Sequence, residues 1–233
     1  TGRFVLIEDY LPVAGGIISM EGYPDQRELV TVRSTNVIVV PHRVSHAVRE
    51  TRAGHRGGVL WFTGLSGAGK STLAMEVEQR LFAKGFNSYV LDGDNVRRGL
   101  NSNLGFSADD RAENIRRVGE VAALFADAGF ICITAFISPY QSDRERARRA
   151  AEGKFHEIYV RASLAVCERR DPKGLYRRAR AGEIKDFTGV SAPYEPPAEP
   201  ELTVDTSRRG VEECVAEIMA YVERVFPLDR RGK

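Results

Sequence analysis

The residues best suited to chemistry begin with Gly64-Leu65-Ser66-Gly67-Ala68-Gly69-Lys70-Ser71, followed by Thr72. Their spacing is GxxxxGK[ST], a pattern that needs a strand before it and a helix after it. Glycines let successive backbone N–H groups turn inward around phosphate oxygens, and a helix start adds partial positive charge. Lys70 can reach β- and γ-phosphates and the Ser71 hydroxyl can ligate Mg²⁺, so ATP is the expected co-substrate and Mg²⁺ the expected cofactor. Without nucleotide the lysine is expected to face solvent.

A pair of acids follows in Asp92-Gly93-Asp94. In extended chain, residues two apart project the same way. One acid can then hold Mg²⁺ through water while the other accepts a proton from an attacking hydroxyl. We give the water-bridged ion to Asp92 and the proton to Asp94. There is no guanine-reading NKxD segment, and the apolar run 130–137 leads into Ser138-Pro139 without the carboxylate of an energy-coupling ATPase. The combination reads as a small-molecule kinase.

Further cations and rings lie where an acceptor would bind. Arg97 follows the acids, and Arg111 and Asn114, three apart, share one helix face. Arginine suits a planar, doubly anionic group. Phe106 and Phe187 stand in polar loops, where two aromatic faces could hold a purine ring. The run 144–149 reads as a solvated basic helix face. Cys132, Cys167 and Cys214 are far apart and read as buried free thiols, while His42 and His46 lack a second ligand pair for zinc.

These groups need a scaffold. Residues 59–63 form a strand buried on both faces, and Leu73, Val77 and Leu81 repeat along the next helix, with Gly85 after its end. Then come strand 88–91, a helix opened by Ser107 with Ile115, Val118, Ala122 and Phe125 on one side, and strand 130–137. Helix 142–151, strand 155–160, a helical stretch from Leu164, strand 202–205 and a final helix follow. Val211, Val215, Ile218, Val222 and Val225 line that last helix. Alternation of this kind predicts an α/β fold: a P-loop NTPase-type parallel sheet with helices on both faces, preceded by a short β-rich N-terminal segment. Residues 1–50 are expected to be the β-rich remnant of a preceding domain plus linker, with 51–233 the kinase domain. In the first part, 4–7, 28–32 and 36–40 are β-prone runs, Gly15-Gly16 punctuates them, and 49–58 reads as linker. The chain opens without methionine or a signal-peptide pattern and is expected to begin mid-protein. Net charge is only +2 and no apolar run is long enough to span a membrane, so neither nucleic acid nor membrane is an expected partner.

Over residues 57–228 the chain resembles the adenylylsulfate kinases, which make 3′-phosphoadenylyl sulfate from adenylyl sulfate and ATP. The resemblance runs through Phe62-Thr63 and the phosphate motif, Leu91-Asp92-Gly93-Asp94-Asn95-Val96-Arg97 and Asp110-Arg111-Ala112-Glu113-Asn114-Ile115-Arg116-Arg117. It continues through Phe136-Ile137-Ser138-Pro139, Arg170-Asp171-Pro172-Lys173-Gly174-Leu175-Tyr176 and Lys185-Asp186-Phe187-Thr188-Gly189. It implies that Arg97, Arg111 and Asn114 hold phosphosulfate and ribose, with Ile137 and Thr188 in the same substrate set as Asp92. It further implies that Phe106 and Phe187 sandwich the acceptor adenine, with Lys185 on a lid. Ser138 matches a serine described in that family as a phosphorylated intermediate; we read it as orienting substrate, because P-loop kinases transfer the phosphoryl group directly, in line. A homodimer and a cytoplasmic enzyme of sulfate assimilation are also implied. Residues 1–20 resemble the closing strands of the GTPase-type large subunit of sulfate adenylyltransferase, implying the kinase end of a bifunctional polypeptide. Two rivals differ in kind: a kinase for another small hydroxylated acceptor, and a non-catalytic nucleotide-binding regulator. The second is expected to have lost Lys70 or Asp94, and both are present.

Overall fold

The computed structural model describes residues 2–8, 11–18, 38 and 40–229, the first two stretches as backbone. The chain divides into two compact units, Thr1–His42 and Arg43–Lys233. In the first, β1 (Gly2–Glu8) pairs antiparallel with β2 (Leu11–Ile18), with a register shift between Leu6 and Ile7. Gly15 and Gly16 do not break the chain as expected. They lie inside the ladder opposite Val5 and Phe4, a place glycine can occupy where a partner backbone supplies the hydrogen bonds. The β-prone run 28–32 lies outside the described residues; of 36–40, Ile38 and Val40 are described and neither is in a strand.

The second unit opens with α1 (His46–Ala53), which replaces much of the expected linker. Ser45 caps it by accepting from the Val48 N–H, and Gly54 closes it at φ 73°, its own N–H reaching the Glu50 and Thr51 carbonyls. These caps satisfy backbone groups that an Arg- and Gly-rich composition had seemed to leave open. There follow β3 (Gly58–Thr63), α2 (Lys70–Lys84), β4 (Ser88–Asp92), the single turn α3 (Gly93–Val96), α4 (Ala108–Asp127) and β5 (Ile131–Ala135). After them come α5 (Gln141–Ala150), β6 (Phe155–Arg161), α6 (Leu164–Arg170), α7 (Leu175–Arg180), β7 (Leu202–Asp205) and α8 (Val211–Val225).

The five strands β3 to β7 form one sheet in the order β4-β5-β3-β6-β7, every pair parallel. Both faces are covered, and the alternation of β3 shows it. Leu60 and Phe62 join α2 and α8 in one core, while Val59 and Trp61 join α4 and α5 in the other. Burying each such side chain contributes about 1.5–3 kcal/mol, which is what makes this strand the spine of the sheet. The stripe on α8 is buried at Val215, Ile218 and Val222 but not at Val211, which is 44% exposed at the helix start. Strand β5 is shorter than its apolar run, because Phe136 and Ile137 leave the sheet to begin the loop that carries Ser138. Among the described residues no helix is long and apolar enough to cross a membrane. Cys132, Cys167 and Cys214 are buried free thiols.

Because β3, β4 and β5 are neighbours and parallel, their carboxyl ends lie side by side. The phosphate loop, the acid pair and Ser138 follow those ends, at the edge where parallel sheets bind ligands.

Candidate active site

The phosphate loop between β3 and α2 is held by its carbonyls. Lys70 Nζ donates to the Gly64 and Leu65 carbonyls at 2.9 and 2.7 Å. Tyr176 donates to the Ser66 carbonyl at 2.9 Å, Arg170 to that of Gly67 at 3.3 Å, and Thr206 to that of Ala68 at 2.8 Å. In a trans peptide the next N–H points opposite to the carbonyl, so anchoring carbonyls on one side presents donors on the other. The glycines are needed for shape. Gly64 has φ 153° and a Cβ there would lie 2.4 Å from the Val160 carbonyl oxygen, while Gly69 starts α2 at φ 98°.

Lys70 does not face solvent. It is 8% exposed, and burial pulls its pKa down to about 8. Its hydrogen bonds to the two loop carbonyls hold the ammonium inward. Across from it, Ser71 Oγ donates to Asp92 Oδ2 at 2.6 Å, and Asp92 Oδ1 accepts the Asp94 N–H at 3.0 Å. Asp92 therefore caps α3, and Asp94 is in a helical turn. The acids thus do not project together from extended chain as expected. Asp92 is buried beside Ser71, while the Asp94 side chain is 69% exposed and paired with Lys173. A shared direction was never required: capping separates the two carboxylates into different surroundings.

Ser138 has φ 39°, an uncommon region for a residue other than glycine. Its hydroxyl accepts from Trp61 Nε1 at 3.1 Å and donates to Thr63 Oγ1 at 3.0 Å, and the residue is 2% exposed. Thr63 in turn donates to the Ile137 carbonyl at 2.7 Å. The turn is clamped from outside by Arg144, whose Nη1 donates to the Ser138 carbonyl at 2.8 Å and whose Nε donates to Glu157 at 2.6 Å. This overturns the reading of 144–149 as a solvated face. Arg144 is 2% exposed, and Arg148 lies over the Phe155 ring and pairs with Glu201. Burial pushes the Glu157 carboxyl up, with Arg144 pulling the other way. Replacing Arg144 by Met leaves that carboxylate only the 3.6 Å contact with Arg148, so urea unfolding of Arg144→Met is expected to show a loss of about 3 kcal/mol. Arg144→Met/Glu157→Leu, which removes both charges, should lose much less; an equal loss would mean that packing rather than charge pairing holds the turn.

Beyond the acid pair, Arg111 links two loops. Its guanidinium donates to the Phe106 carbonyl at 2.8 Å, to Thr188 Oγ1 at 2.8 Å and to the Asp186 carbonyl at 2.5 Å. Arg97 donates to the Leu104 and Gly105 carbonyls, both at 3.0 Å, and lies 4.4 Å from the centre of the Phe106 ring. Phe106 is 68% exposed, whereas Phe187 is buried edge-on against Tyr176 with ring centres 5.0 Å apart. Asn114 is buried and accepts from Asn101 at 3.0 Å; Lys185 is exposed. An open cavity of about 550 Å³ beside the loop is lined by Leu65, Tyr159, residues 189–194 and Pro196. Of the groups described above it shares only Leu65.

Sequence patterning missed Tyr176, Arg170, Thr206, Arg144 and Lys173. The first two and Lys173 lie in the Arg170-Asp171-Pro172-Lys173-Gly174-Leu175-Tyr176 run, which was the available signal.

A phosphate loop, a separated acid pair and a nearby cluster of arginines and aromatic rings suit a kinase, and comparison with known proteins decides which. The profile of the adenylylsulphate kinase family matches residues 56–205. The chain belongs to that family. An adenylyl-sulfate kinase of Staphylococcus carnosus is 55% identical over 193 residues, 82% of this chain and 97% of that protein. The Mycobacterium tuberculosis APS kinase solved in complex with AMPPNP and APS is 50% identical, with TM-score 0.70, over 72% of this chain and 98% of that one. A hexameric APS kinase from Thiobacillus denitrificans is 35% identical, with TM-score 0.56, over 76% of this chain and 30% of that one. This adenylylsulphate kinase is therefore an ATP-using phosphotransferase, and its reaction is the phosphorylation of adenylyl sulfate to 3′-phosphoadenylyl sulfate.

Proposed function

We propose that Asp94 is the base of this reaction and that Lys70, Ser71 and Asp92 hold the nucleotide end. The ribose 3′-oxygen attacks the γ-phosphorus; the new O–P bond forms as the bond to the bridging oxygen of ADP breaks, its electron pair leaving with ADP. Asp94 takes the hydroxyl proton. The carrying observation is the 2.6 Å link from Ser71 to Asp92 with Asp94 one helical step beyond it. A hydroxyl and a carboxylate so placed suit Mg²⁺, with Ser71 binding directly and Asp92 through water, and the ion would neutralise phosphate charge. Ser138, its hydroxyl engaged by Trp61 and Thr63, positions the acceptor loop.

Arg97, Arg111 and Asn114 bind the phosphosulfate and ribose, Phe106 and Phe187 bind the adenine, and Ile137, Lys185 and Thr188 complete that side. Support comes from Arg111, which already joins the Phe106 and Thr188 loops. Phe187 must turn from Tyr176 to meet a base, so Phe106→Ala is the cleaner test. Titrating ATP and adenylyl sulfate separately, Phe106→Ala should weaken adenylyl sulfate by about 1–3 kcal/mol, the worth of a base–aromatic stack, with ATP unchanged. Arg111→Ala should weaken it at least as much. Equal weakening of both ligands, or of neither, would show that this is not the acceptor site.

For assembly and context we infer a cytoplasmic homodimer forming the kinase part of a polypeptide shared with sulfate adenylyltransferase. The resemblance of residues 1–20 supports the fusion.

A further inference from the structure

Two asparagines join the segment between α3 and α4 to α4 itself. Asn101 is fully buried and Asn114, on the helix, is 5% exposed. Asn101 Nδ2 donates to Asn114 Oδ1 at 3.0 Å. The backbone of Asn101 is pinned on both sides: its N–H donates to the Val96 carbonyl and its carbonyl accepts the Leu104 N–H, each at 3.1 Å. The donor is therefore held in one place.

Keeping an amide there has a cost. Asn101 Oδ1 is buried with no hydrogen-bond partner among the described residues. An unpaired buried carbonyl destabilises the fold, and a leucine of similar size would avoid it. What the amide supplies in return is its NH₂, and that group meets the oxygen of Asn114. A carboxamide has an accepting oxygen at one end and a donating NH₂ of nearly the same shape at the other. With its oxygen held by a donor, Asn114 is left to offer its NH₂. That end suits the oxygens of a phosphosulfate or a ribose, whereas a carbonyl oxygen in its place would repel an anion.

We propose that Asn101 is a positioning residue for the acceptor, holding the Asn114 oxygen so that Asn114 presents N–H, and not C=O, to adenylyl sulfate. The proposal rests on the reading of Asn114 as an acceptor contact and adds which end of that amide meets the ligand. Asn101 itself touches no substrate.

The test is a double-substitution cycle in the full chain, with adenylyl sulfate and AMPPNP titrated separately by calorimetry. Asn114→Ala should weaken adenylyl sulfate about tenfold or more, as for loss of a hydrogen bond to a charged group. Asn101→Leu should weaken it roughly three- to tenfold, because the freed Asn114 amide can turn its oxygen to the ligand. Both should bind AMPPNP as wild type does. The double variant decides: Asn101→Leu/Asn114→Ala should match Asn114→Ala within about twofold, since Asn101 acts only through Asn114. In turnover, Asn101→Leu should raise KM for adenylyl sulfate with kcat within about threefold of wild type. Effects that multiply in the double variant, AMPPNP weakened alongside adenylyl sulfate, or an Asn101→Leu enzyme indistinguishable from wild type would each overturn the proposal. Wild-type affinity for adenylyl sulfate in Asn114→Ala would instead remove Asn114 from the acceptor site, and the proposal with it. Leucine eliminates the unpaired oxygen, so the Tm of Asn101→Leu should not fall. If leucine does not fit, Asn101→Ala lacks the same donor and runs the same cycle.

Discussion

Lys70→Ala is expected to lower kcat by about two to four orders of magnitude. The ammonium is the cation held nearest the loop by two of the loop's own carbonyls, at 2.9 and 2.7 Å, so it is in place before ATP arrives. Burial has pulled its pKa down to about 8, and an anionic phosphate at the same point would raise it again. Charge that develops on the transferred group is met by a cation already oriented, with no reorganisation during the reaction. The same burial predicts a small effect on folding. Alanine loses two hydrogen bonds but also removes an ammonium that the interior disfavours, so the two effects offset. Circular dichroism melts should place Lys70→Ala within a few degrees of wild type. Near-normal turnover in that variant would end its assignment as the phosphate lysine.

Asp94→Asn should be comparably severe and more selective. The substitution keeps size and hydrogen-bonding reach but cannot take the 3′-hydroxyl proton, so kcat should fall by about 10²–10⁴-fold with KM for ATP and adenylyl sulfate little changed. Asp92→Asn should behave differently. Asp92 accepts from Ser71 Oγ and the Asp94 N–H, so its loss disturbs the Mg²⁺ side and should raise the Mg²⁺ concentration needed for half-maximal rate. Steady-state kinetics over a Mg²⁺ series separates them. An active Asp94→Asn beside a dead Asp92→Asn would mean that the two roles are exchanged.

What could be read from sequence was local. Gly64 to Ser71 encode a turn by glycine spacing alone, and the apolar rhythm of residues 59–63 announces a strand covered on both sides, so loop, helix and parallel sheet were all legible. Most of the misses at the site are side chains whose partners lie far along the chain. The Ser66 carbonyl meets Tyr176, and the Ala68 carbonyl meets Thr206. Nothing in the spacing of either segment points to the other. Arg144 looked solvated because its neighbours are charged, yet it turns inward to a glutamate on β6 that reads as part of a strand. Asp92 and Asp94 were placed on extended chain because a capping carboxylate and a strand-end carboxylate have the same sequence. Phe187 could be recognised as an unusual loop aromatic, but not as one packed on Tyr176.

The position of β3 at the centre of the sheet has a consequence for biosynthesis. The strand that precedes the phosphate loop is complete at Thr63, but its neighbours are β5, ending at Ala135, and β6, ending at Arg161. A nascent chain emerging from the ribosome therefore carries the nucleotide motif long before it has anything to support it. Contacts this distant in sequence form slowly, because the closure entropy of the intervening chain is lost before they can compensate. Tyr176 and Thr206, which hold the loop's carbonyls, emerge later still. ATP cannot act as an early folding template for this enzyme; it can stabilise only a chain already synthesised past Thr206.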